Sequence, residues 1–196
     1  MKKTLALLAA TALLLTAGCH VQVNKNKNGT EKNVKIDTPF GGLHVRSGQT
    51  TAADVGLPVY PGATIAPDRN GDKSADVHMG FGSFQLMVKV VNYQTPDPAD
   101  KVLAFYKKAL GRFGDVIQCK DSEPVGTPTV TSEGLTCSDS ESHAHLQVSG
   151  HSSLKAGSKH HQHVVAIEDK RGPETRFALI ELQLPESTDN NSSKSQ

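Results

Sequence analysis

The sequence predicts an α+β fold, in which an antiparallel β-sheet meander packs against one main α-helix at about residues 98–113. Three observations carry that expectation. Residues 84–93 (FQLMVKVVNY) are β-prone and mostly apolar, as a central strand must be. Val102, Leu103, Tyr106, Ala109, Leu110 and Phe113 recur at three- and four-residue intervals, which gathers them on one helix face. In residues 175–184, Phe177, Leu179, Glu181 and Gln183 alternate with Ala178, Ile180, Leu182 and Leu184, the period of a strand.

The remaining elements follow in chain order. Val21 and Val23 alternate before a polar stretch, residues 24–33, and Val34 and Ile36 alternate after it. Because it contains Asn28-Gly29, that stretch reads either as a tether or as the long turn of a small hairpin, and both readings hold the domain away from whatever precedes it. Pro39, Gly41 and Gly42 imply a turn between two short extended pieces, and residues 46–53 read as loop. Pro61-Gly62 suits a tight turn, Pro fixing φ and Gly taking positive φ. Residues 68–73 resemble a hairpin tip, and no downstream Glu completes a calcium loop.

For the helix, Asp97 is the expected N-cap, Pro98 the first helical residue and Gly114 the C-cap. Short strands are expected near 115–120 and 134–138, around a Pro/Thr/Ser/Gly loop at 121–133. Further strands are expected near 143–149 and at 163–168, with Gly172-Pro173 turning the chain into the last one. Residues 51–184 thus read as a single domain, preceded by short β pieces in 19–50 and followed by a polar tail at 185–196 with little to bury.

Composition limits the partners. The chain has 196 residues, 36% hydrophobic and 21% charged, which suits one globular domain with tails. Trp is absent and aromatics make up only 5%, so the core must rest on Val, Leu and Ile. The formal charge is +1, and that includes Lys2 and Lys3, so nothing electrostatic points to nucleic acid.

Lys2 and Lys3 precede an apolar run at 4–18, shorter than the roughly twenty residues a spanning helix needs. The run ends in Leu15-Thr16-Ala17-Gly18-Cys19, which resembles the lipobox of bacterial lipoproteins. The resemblance implies cleavage before Cys19, a diacylglycerol on its thiol, and a protein held at the cell envelope by that lipid. Thr16 departs from the commoner Leu, which leaves an uncleaved anchor or an ordinary secretory peptide as alternatives. His20 stands where Asp would retain a lipoprotein at the inner membrane, so the resemblance implies an outer-membrane protein facing the periplasm. Separately, Tyr60-Pro61-Gly62-Ala63 and the Phe105-Tyr106 helix resemble small uncharacterised exported bacterial domains, a likeness that covers about residues 57–113 and brings no site residue with it.

With Cys19 assigned to lipid, two of the three cysteines remain. Cys119 and Cys137 could form one disulfide, worth roughly 3 kcal/mol by loop entropy and stable outside the cytoplasm, or they could stay as two thiols.

Histidine is the chemically suggestive residue, with six of nine lying between positions 143 and 163. On strands, His143 and His145 share a face, as do His161 and His163. A hairpin turning at 150–160 could bring the four together as ligands for Zn²⁺, Cu²⁺ or Ni²⁺. The alternative is a solvated 150–160 linker whose histidines gain positive charge below about pH 6.5 and so favour an anionic envelope surface.

Signatures of hydrolases, zincins, P-loop enzymes and C-x-x-C redox centres are missing, so the sequence leans away from an enzyme. It leads instead to a lipid-anchored binding or scaffold domain for an unidentified envelope protein or small ligand, with no cofactor. Metal delivery is the alternative, and an unrecognised hydrolase comes third.

Overall fold

The computed structural model describes residues 19–25, 32–67, 71–138, 152–168 and 173–185. Within them the chain is mainly antiparallel sheet with one helix, so β structure outweighs helix more than the expected α+β balance. The strands are β1 (His20–Lys25), β2 (Lys32–Thr38), β3 (Gly41–Ser47), β4 (Thr64–Ile65), β5 (Ser74–Phe81) and β6 (Phe84–Thr95). After helix α1 (Ala99–Leu110) come β7 (Ile117–Lys120), β8 (Glu123–Pro124), β9 (Ser152–Gly157), β10 (His161–Ile167) and β11 (Thr175–Gln183). The sheet order is β1-β2-β3-β5-β6-β11-β10-β9-β7-β8, with β4 also paired to β6.

Strand β6 is central, as its apolar run implies. It pairs with β5 over Phe84–Val91 and with β4 at Tyr93 and Gln94, and on its other edge with β11 over Met87–Thr95. Both strands flanking residues 68–73, β4 and β5, pair with β6 and not with each other, so they do not form the expected hairpin. Residues 68–70 themselves lie outside the described residues.

Near the N-terminus the hairpin reading holds and the tether reading does not. Asn24, Lys25, Lys32 and Asn33 are paired strand residues, and β1 begins directly after Cys19. Residues 46–53 are only partly loop, since Arg46 and Ser47 finish β3.

The helix starts one residue later than expected. Pro98 is extended (ψ 154°) and sits at the N-cap, its carbonyl accepting from the Lys101 and Val102 amides. Asp97 does not cap because its carboxylate is engaged elsewhere: Tyr60 Oη donates at 2.9 Å and Lys101 Nζ at 3.0 Å. At the other end α1 stops at Leu110, a short 3₁₀ turn covers Gly111–Phe113, and Gly114 ends it at φ 116°.

Val102, Leu103, Tyr106 and Leu110 of α1 meet Val91, Tyr93, Leu154, Val165, Phe177 and Leu179 of the sheet in the main core. Phe177 lies 5.6 Å from the Tyr106 ring and 5.8 Å from that of Tyr93. Tyr106 Oη donates to the Pro58 carbonyl, and burial pushes its pKa well above that of a free phenol. Tyr60 packs edge-on to Phe105, so the Y-P-G-A segment and the Phe-Tyr helix pair form one packing unit.

Residues 134–138 form no strand. Thr131 and Leu135 close a tight turn that includes Gly134 at φ 77°, and Asp115 accepts from the Ser132 amide and hydroxyl. The segment is joined to β7 by the Cys119–Cys137 disulfide and buries Leu135 beside Ile117.

Residues 152–157 are not part of a solvated linker, His160 in the turn that follows is exposed, and residues 150–151 lie outside the described residues. Ser152 to Gly157 form β9, with Leu154, Lys155 and Ala156 buried. Lys155 hid this strand from sequence reading, and its Nζ donates to the Cys137 carbonyl at 2.6 Å. The expected strand at 143–149 and most of the 185–196 tail lie outside the described residues.

Candidate functional site

Cross-strand register sets what each face of the sheet carries, because paired residues point the same way. On the helix side, the rows through Val91 and Tyr93 continue into Leu179, Val165, Phe177 and Ile167, and this is the core under α1. The next row, two residues nearer the Phe84 end of β6, is charged. Arg46 pairs with Asp76, Asp76 with Lys89, Lys89 with Glu181, and Glu181 with His163. The row beyond it runs Gln22, Lys35, His44, His78, Met87, Gln183, His161.

Opposite charges alternate along the first row and pair directly. Arg46 Nη2 lies 2.6 Å from Asp76 Oδ2, and Lys89 Nζ lies 2.9 Å from Glu181 Oε2. The second row closes onto it: His78 Nε2 is 2.7 Å from Asp76 Oδ1, and His161 Nε2 is 2.9 Å from Glu181 Oε1. Asp76 and Glu181 are buried, whereas His44, His78 and Arg46 reach solvent. Over β1, β2 and β3 the two rows line an open groove of about 460 Å³, walled by Gln22, Asn33, Lys35, His44, Arg46 and His78.

At the β10 end the site becomes a compact cluster. His161, His163 and Glu181 place one donor atom each within 4.8 Å of one another. His163 is fixed: its Nδ1 is 3.0 Å from the Val55 carbonyl, and the Phe113 ring stacks on it at 3.6 Å. Burial, reinforced by the neighbouring His161, pushes the His163 pKa down and keeps the ring neutral at neutral pH. Burial alone would raise the Glu181 carboxyl, but hydrogen bonds from Lys89 and His161 outweigh it and hold the pKa low. Two imidazoles and a carboxylate form a donor set that suits Zn²⁺, Cu²⁺ or Ni²⁺. Lys89 competes for the same carboxylate.

The other expected residues fall as follows. Cys19 is exposed and unbonded at the start of β1. Cys119 and Cys137 are disulfide-bonded, with Cα atoms 5.6 Å apart. His161 and His163 do share a face. However, the strand that forms the hairpin with β10 is β9, and the other neighbour of β10 is β11. The hairpin turn lies at 158–160, and His143, His145 and His151 are outside the described residues.

Sequence reading missed Glu181, Lys89, Asp76, Arg46, His44 and His78. One signal was available: Lys89 and Glu181 are lone charges inside otherwise apolar strand runs, and lone charges in buried strands need each other.

No protein-family model matches the chain, and no significant match was found among curated proteins or solved structures. Among the described residues, no helix is long and apolar enough to cross a membrane.

Proposed function

We propose that this protein is a lipid-anchored, non-enzymatic binding or scaffold domain of the bacterial envelope, held by a diacylglycerol on Cys19, with the polar helix-side face as its binding surface. The observation carrying this reading is that α1 covers the apolar rows and leaves the β1, β2, β3 and β5 part of the two polar rows as an open groove. The Arg46–Asp76 ion pair, with a buried carboxylate, lies at the edge of the groove, and His44, His78 and Lys35 are accessible beside it. Accessible polar groups held in place by neighbouring carboxylates suit recognition of a polar ligand or partner surface. We also place the domain in the α+β class, because α1 supplies Tyr106 and Leu110 to the main core and is not a peripheral addition.

A photoreactive residue at His44 or Lys35 tests the surface in intact cells, with Lys120 at the opposite side of the sheet as control. A crosslinked species specific to the groove positions is expected. Equal capture at Lys120, or none across growth conditions, sinks the assignment. Anchoring is tested separately: Cys19→Ala should abolish lipid labelling and detergent partitioning, and surviving partitioning would point to an uncleaved apolar helix.

A second reading is supported by the convergence of His161, His163 and Glu181, namely binding or delivery of Zn²⁺, Cu²⁺ or Ni²⁺. Calorimetric titration with each ion decides it. Binding weaker than about 100 μM, or unchanged by His161→Ala and Glu181→Gln, removes the site as drawn.

A further inference from the structure

One end of the sheet gathers Cys19 with three exposed aromatic rings. His20 pairs with Asp37, so Cys19 lies beside Thr38 at the mouth of the β2–β3 turn. That turn projects Phe40, which is 85% exposed. One strand further on, Gly41 pairs with Phe81, and Phe81 pairs with Phe84 across the tight Gly82-Ser83 turn. A Cβ on Gly41 would fall 2.5 Å from Phe81 Cδ1, so bare backbone at Gly41 makes room for that ring. Phe81 and Phe84 remain 46% and 41% exposed. Strands spaced at about 4.8 Å put Cys19 and Phe84 only about 20 Å apart along this edge.

Charge is sorted along the strands. Thr38–Gly41 and Phe81–Phe84 contain no charged residue, whereas the opposite end of the β1–β2 hairpin carries Lys25 and Lys32. An uncharged aromatic edge of this kind on a protein in water marks a contact surface.

We infer that this edge docks on a phospholipid bilayer, with Phe40, Phe81 and Phe84 entering the boundary between headgroups and acyl chains next to the lipid on Cys19. The inference rests on the anchoring reading and goes beyond it: the domain lies against the membrane and is not suspended from a tether. Because β1 starts at His20, no slack separates the anchor from the fold. Acyl chains on Cys19 would therefore draw this edge, and no other, to the surface. The aromatic contacts add to the acyl chains, as stable anchoring takes more than one signal.

Trp is absent from the chain, so a single introduced Trp reports its own surroundings. The test uses Phe40→Trp in protein purified from bacterial membranes and reconstituted in vesicles of phosphatidylethanolamine and phosphatidylglycerol. Val130→Trp, on the exposed loop beyond β8, is the control. Lipids brominated on their acyl chains should quench and blue-shift Phe40→Trp and leave the control unchanged. Intact mass of the same samples reads lipidation of Cys19 independently. Lipid on Cys19 with unquenched Phe40→Trp overturns docking while the anchor stands. If the mass shows no lipid, the anchoring reading fails, and the protein is coupled through Cys19, its one thiol outside the disulfide, to a maleimide phospholipid. Quenching in that arm supports docking on its own, and its absence overturns it.

Discussion

The helix side of this sheet divides into two halves that share strand β6. At the Val91–Tyr93 end of β6 the side chains lie under α1 in an aromatic core closed to water. At its Met87–Lys89 end the side chains belong to rows of His, Lys, Arg and Asp that α1 does not cover. Backbone pairing is the same in both halves, so the sheet itself does not choose where the helix sits. Side-chain chemistry does: α1 follows directly from the end of β6 and settles on the rows that give its apolar face a partner. The uncovered half is stabilised differently, by ion pairs whose members depend on one another.

The largest expected effect lies in the closed half. Phe177→Ala removes a ring with no exposure and three aromatic neighbours, and should cost about 3–5 kcal/mol in urea unfolding. A cost near that of a surface substitution would mean that the helix does not close this core.

Reduction of Cys119–Cys137, whose separation is 18 residues, should lower stability by about 3 kcal/mol. Loss should appear first as protease access at 131–137, a segment with little regular hydrogen bonding of its own, and equal loss of protection throughout the sheet would contradict a local staple.

At the seam between the halves, Glu181→Ala leaves the Lys89 ammonium without its counter-charge and holding the Asp54 carbonyl, at a cost of about 1–3 kcal/mol. The double substitution Lys89→Met/Glu181→Leu should recover much of that loss, because an apolar pair needs no partner. No recovery would show that the pair orders the charged row beyond its own contact.

The same seam gives stability a pH dependence. His163 has a folded pKa below its ordinary 6.5, so the unfolded chain binds the proton first and stability falls as pH drops below that value. Glu181, also lowered, keeps its contribution above the ordinary carboxyl value of 4.5 and loses it as pH falls through its folded pKa. Chemical denaturation from pH 7 to pH 4 should therefore show decline beginning near pH 6.5, and His163→Phe should flatten that first part.

The smallest effect belongs to the open half. His44→Ala and Lys35→Ala should each change stability by less than about 0.5 kcal/mol, both side chains being exposed. If these residues form the binding surface, crosslinking specific to the groove should fall even though unfolding does not change.

Much of the covered half was legible in sequence. The apolar run of β6, the spacing in α1 and the alternation in β11 each state a burial pattern directly, and each element formed where expected within a few residues. Strand β9 was not legible, since Lys155 broke its apolar pattern and its Nζ is satisfied by a carbonyl from a distant segment. Asp97 looked like a cap by position, but Tyr60, brought in from thirty-seven residues away, took its carboxylate. The candidate site was legible only in pieces. His161 and His163 sit two apart and must share a face, yet Glu181 joins them only through the pairing of β10 with β11.

What sequence alone determined is local: periodicity, turn chemistry and the exposed thiol that follows an apolar run. Tertiary structure decided which rows meet and which half α1 covers, and it also placed Cys19 at the same end of the sheet as Phe40, Phe81 and Phe84. Strand register depends on pairings across long stretches of chain, and no window of residues contains them. Side-chain burial along one strand fixes a face, but only neighbouring strands fix what stands next to it.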